Sequence, residues 1–101
     1  MPSGYVGILS FELHLGESAS LKDKRMAVRS VKAQLANRVG ASVAEVDHHD
    51  TWQLARLTMA CVAREHAEAR RLLDDAERWL HGQEFEPTWS EREIVTLDDD
   101  R

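Results

Sequence analysis

The chain has 101 residues, is 43% hydrophobic and 31% charged, and carries a formal net charge of −5 at pH 7. That length allows one hydrophobic core and excludes two ordinary domains, so residues 1–101 read as one domain. The acidic balance by itself argues against a dedicated nucleic-acid binder, and the single cysteine, Cys61, excludes an internal disulfide.

Met1 to Gly4 leads straight into a strand-like run with no basic n-region. No apolar run approaches the roughly 20 residues that a spanning helix needs. The expectation is a soluble, cytoplasmic chain with no membrane partner.

Tyr5 to Leu15 (YVGILSFELHL) alternates, with Leu9, Phe11, Leu13 and Leu15 on one side and Ser10, Glu12 and His14 on the other, the pattern of a half-buried strand. Gly16 to Ala19 is a linker. Ser20 followed three residues later by Asp23 resembles a capping box and predicts a helix start. Leu21, Val28, Val31, Leu35 and Val39 recur at helical spacing until Gly40 supplies a stop.

Ser42 to Asp47 and Leu54 to Ala63 then suit two strands. Between them, Asp47-His48-His49-Asp50-Thr51 is a polar cluster whose Asp side chains favour a turn, which predicts a hairpin with a longer loop. Glu65 to His81 returns to helical spacing through Ala69, Leu72, Leu73, Ala76, Trp79 and Leu80, and Gly82 ends it. This second helix opens without a Ser, Asn or Asp cap. Glu84 to Leu97 holds Phe85, Trp89, Ile94, Val95 and Leu97 among charges, and Pro87 makes it an edge strand; Asp98 to Arg101 is a solvated end.

The predicted order is strand, helix, strand, strand, helix, strand, the α+β arrangement called ferredoxin-like: a four-stranded antiparallel sheet with two helices on one face. The first and third strands should be central. Alternation assigns Leu9, Phe11, Leu13, Leu15, Ala44, Val46, Leu57, Met59 and Cys61 to the helix-covered face. The open face then has an apolar end and a charged end.

The segments SLKDKR (Ser20 to Arg25) and SVAEVDHHDTWQLA (Ser42 to Ala55), lying in this order between an opening and a closing strand, resemble the YlxP-like family of small bacterial proteins. The resemblance covers nearly the whole chain, although His49 stands where members of that family often have Gln. It implies a ferredoxin-like fold and a gene neighbourhood of transcription, translation initiation and maturation of the small ribosomal subunit. It implies no reaction.

Three groups of residues could carry function. From Ser20 to Arg38, six basic residues against Asp23 alone make +5, so everything outside that segment carries −10. Lys22, Lys24, Arg25, Arg29 and Lys32 could therefore lie against RNA phosphates, with the small ribosomal subunit as a candidate partner; the alternative is an ordinary solvated face. The open face is expected to lack the exposed aromatics that stack bases, which leaves backbone and shape recognition. Trp52 is expected to anchor packing and Trp79 to lie in the core.

The second group is Glu12, His14, Glu45, Asp47 and Arg56 at the charged end of the open face, with His48 or His49 nearby. These side chains suit either cross-strand ion pairs or carboxylate and imidazole ligands, and no recognised metal spacing such as HExxH is present. The third is Val6, Ile8, Ala60 and Val62, extended by Ile94 or Val95, an apolar patch suited to a homodimer interface. No nucleophile elbow, phosphate-cradling glycine loop or cofactor motif occurs, and Cys61 has the setting of a small buried hydrophobe. The leading expectation is a non-catalytic RNA-contacting factor; the alternative is a homodimeric small-molecule or metal-binding module, or a minor enzyme, working at the charged end of the sheet.

Overall fold

A computed structural model of the chain describes residues 2–16 and 18–98. Residue 17 of the expected linker and residues 99–101 of the expected solvated end lie outside the described residues. Strand β1 runs over Pro2–His14, and its alternation drives Leu9, Phe11 and Leu13 fully inward. Helix α1 spans Leu21–Val39. Its start is fixed as the sequence predicts: the Asp23 amide donates to Ser20 Oγ at 3.1 Å, and the Asp23 carboxylate accepts from the Ala19 amide at 3.1 Å. Its end is fixed by Gly40, whose φ of 67° is left-handed and whose amide donates to the Ala36 carbonyl at 3.1 Å.

The hairpin follows as β2 (Ser42–Asp47) and β3 (Leu54–Ala63). Helix α2 covers His66–His81, and Glu65 at its N-cap makes no side-chain capping bond. Strand β4, Glu86–Asp98, closes the chain. The sheet order is β2-β3-β1-β4 with every neighbouring pair antiparallel, so β1 and β3 are central, as the ferredoxin-like reading requires. One core forms between sheet and helices, with Leu9, Phe11, Leu35, Leu57, Met59 and Leu73 all wholly shielded. Gly7 on β1 permits a close approach there, because a Cβ would sit 3.2 Å from Cys61 Sγ and from the Leu73 side chain.

The faces of β2 differ from expectation. Val43 pairs with Met59 and Glu45 with Leu57, so Val43 and Glu45 point to the helix side, whereas Ala44 and Val46 are exposed. A register shift between Glu45 and Asp47 leaves Val46 as an extra residue and returns Asp47 to the open face, opposite Arg56. A strand's side chains alternate with period two, so a single inserted residue reverses which face the next one occupies. Trp52 is 51% exposed and anchors nothing in the core. Trp79 is partly buried, edge-on to Phe85 at 6.2 Å. Ile94 turns to the core and Val95 joins the open face.

Candidate functional site

On a helix that advances about 100° per residue, Lys22, Arg25, Arg29 and Lys32 fall within an arc of about 80° and along about 15 Å of axis. Three of them are exposed and Lys32 is half-buried. None of the four has an ion-pair partner among the described residues. Asp23, which would otherwise soften this stripe, spends its carboxylate on the helix cap.

Lys24 does not belong to the stripe. It is 2% exposed, its Nζ lies 2.9 Å from Glu45 Oε2, and it donates to the backbone carbonyl of His48. The expectation that Lys24 contacts a polyanion is corrected: its charge is enclosed beneath the β2–β3 loop. The signal was present in the spacing, because Lys24 stands in helical phase with Val28, Val31, Leu35 and Val39, the same face that the helix buries.

On the open face, Glu12 of β1 is the hub. Its Oε1 lies 2.6 Å from His48 Nε2 and its Oε2 accepts from Arg56 at 3.2 Å. The Arg56 guanidinium lies over the Trp89 ring, 4.6 Å from its centroid. Glu12 faces Arg56 on one side and Trp89 on the other in strand register, so the arrangement follows from the pairing of β3, β1 and β4. Asp47 stands opposite Arg56, and its Oδ1 accepts from the His48 amide at 2.7 Å. That backbone hydrogen bond, with the neighbouring His48 charge, holds the Asp47 carboxyl below its ordinary value.

Of the five residues expected at the charged end, Glu12, His14, Arg56 and Asp47 share the open face. Glu45 is turned behind the sheet to Lys24. His14 is exposed and takes no part in the pairs that Glu12 makes. His48 is drawn in from the loop, where it adopts a left-handed φ of 64°. His49 is exposed. Trp89 corrects the expectation of an open face without aromatics; its parity with Glu91, Glu93 and Val95 along β4 was the available signal.

Among the described residues, no three His, Cys, Asp or Glu side chains gather to hold a metal ion. The Glu12 carboxylate already has an imidazole and a guanidinium on its two oxygens, an arrangement that neutralises it and fixes its position. Cys61 is buried beside the Gly7 carbonyl at 3.7 Å, and desolvation raises its thiol above the ordinary value, which suppresses nucleophilicity. No helix of the described residues is long and apolar enough to cross a membrane.

Residues 6–91 match the family described as "Protein of unknown function (DUF503)". The chain belongs to this family. Both segments that carried the YlxP resemblance lie inside the DUF503 match. The chain is also 25% identical over 68 residues to "Uncharacterized protein YlxP" of Bacillus subtilis (strain 168), an alignment covering 67% of this chain and 74% of that protein. Among solved structures, it is similar to the de novo designed protein Ferredog-Diesel, with 14% identity, a TM-score of 0.42, and coverage of 87% of this chain and 83% of that one. It is similar too to SnoaB, a cofactor-independent oxygenase from Streptomyces nogalater in its N63A mutant form, with 17% identity, a TM-score of 0.47, and coverage of 95% and 94%. The fold of this DUF503 chain rests on its own strand order and register.

Proposed function

We propose that this DUF503 protein is a non-catalytic cytoplasmic accessory factor that contacts RNA, in the setting of the small ribosomal subunit, through Lys22, Arg25, Arg29 and Lys32 of α1. The observation that carries the reading is the stripe itself: four cations on one arc of α1, without ion-pair partners among the described residues, on a protein whose net charge is −5. An acidic remainder repels a polyanion from most approaches and leaves this one open, which orients the encounter. The choice of ribosomal RNA follows the gene neighbourhood that the YlxP resemblance implies. Arg56 covers the Trp89 ring, so base stacking is not the mode invoked; contact is with backbone phosphates, and affinity falls with salt as counterions are released.

The test is co-sedimentation with purified small subunits across a salt series, using the wild type, the triple variant Arg25→Glu/Arg29→Glu/Lys32→Glu, and Arg70→Glu/Arg71→Glu on α2 as a charge control. The expected result is association at low salt that declines steadily as salt rises, is abolished by the α1 reversal and survives the α2 reversal. Absence of association at every salt, or association indifferent to the α1 reversal, overturns the reading.

A further inference from the structure

Among the described residues the open face of the sheet carries no second layer, and its side chains are sorted along its length. At one end, strand register sets Val62, Val6 and Val95 in a row across β3, β1 and β4, with Leu97 beyond it on β4. Val62 is 76% and Leu97 61% exposed, the two largest exposures among the large hydrophobic residues described. At the other end, Arg56 and Glu12 form a row on the two central strands. At about 3.3 Å per residue and about 4.8 Å between strands, the four strands present a flat face on the order of 650 Å². A standard interface buries about 800 Å² per partner, so the face is of the size that a stable dimer uses.

We propose that a second copy of this chain covers the open face, related by a two-fold axis that lies between the two sheets and runs along the strands. The pairing of β1 and β3 as central neighbours makes that axis the one that fits. It places each copy's β3 over its partner's β1 and keeps every row at its own level, so the valine row meets the valine row. At the other end it sets Arg56 of each copy over the partner's Glu12. Each copy's cation then faces the other's carboxylate, and the four charges alternate. The other in-plane axis, across the strands, would bring the valine row of one copy over the charged row of its partner, leaving charges against hydrocarbon. The interface is isologous and closes on itself, as a two-fold contact must. Twist of the two sheets would set their strands about 30° apart.

The proposal does not depend on the RNA reading. Its test is light scattering on size-fractionated protein from micromolar to millimolar chain, with four samples beside the wild type. The wild type is expected at twice the chain mass. Val62→Glu is expected at the chain mass and still folded, because Val62 is already exposed in one copy, with a melting temperature that no longer rises with protein concentration as the wild type's does. Glu12→Arg alone and Arg56→Glu alone are each expected to be monomeric, since each stacks four like charges. Mixed in equal amounts they should recover the dimer mass, because one copy then presents only cations and the other only carboxylates. A wild type that stays monomeric throughout, a dimer that survives Val62→Glu, or a mixture of folded single variants that fails to associate overturns the arrangement.

Discussion

Lys24 shows how one side chain can change meaning between sequence and fold. Lys24 is 2% exposed and its ammonium is held by the Glu45 carboxylate and the His48 carbonyl, so α1, β2 and the hairpin loop meet at one buried cation. Removing one partner of a buried pair leaves the other charge desolvated, at a cost of about 3–5 kcal/mol when both are fully buried. The Glu45 side chain retains 20% of its exposure, which lowers the expected cost of Lys24→Met to about 2–3 kcal/mol. Urea denaturation should show that loss as a fall in midpoint, and Glu45→Leu in the same background should restore most of it, because a matched apolar pair carries no orphaned charge. Lys24→Met should leave the salt dependence of RNA association unchanged, since the stripe does not include Lys24. A cation in phase with Val28, Val31 and Leu35 was open to this reading from spacing alone; what spacing could not supply was its partner. Glu45 reaches Lys24 only because β2 presents Val43 and Glu45 to the helices.

At the scale of elements, the order and the type of all six were legible. The pattern changes between period two and helical period at every strand–helix boundary, where Ser20, Gly40 and Gly82 punctuate the changes, and the polar run at 47–51 divides the two hairpin strands. The face of β2 was not legible, for a physical reason. Val43 on one parity and Ala44 with Val46 on the other make either face plausible, and the choice falls to pairing with β3 and to the bulge at Val46. The open-face network was partly legible for the same reason: Glu12 and Arg56 follow from the alternation of long central strands, whereas His48 enters from a loop whose left-handed backbone no periodicity announces. The two helices also differ in how their starts are held. Ser20→Ala should cost about 1 kcal/mol, because the Asp23 amide loses its acceptor. Glu65 offers α2 no capping bond, so Glu65→Ser should stabilise by about 0.5–1 kcal/mol. Thermal melts of the two variants should move in opposite directions; a fall for Glu65→Ser would show that Glu65 serves α2 by some route other than capping.

At the scale of the whole molecule, the fold separates its two candidate surfaces. The helices occupy one face of the sheet and the valine row the other, so a dimer closed through the open faces carries its two α1 stripes on opposite outer sides, pointing away from each other. One short RNA cannot then reach both stripes, and dimerisation should leave its affinity unchanged. A long, folded RNA can engage both, and the second contact becomes intramolecular, with a gain set by effective concentration and not by any new contact. Val62→Glu separates the two cases. It should bind a short duplex as the wild type does, with the same salt slope, yet lose tenfold or more in affinity for whole small-subunit RNA, on the order expected when avidity is removed. Filter binding of both RNAs to both proteins checks this. Equal losses on the two RNAs would mean that the open face itself touches RNA. No loss on either would mean that single stripes act alone, with the dimer serving stability or recognition of a different partner.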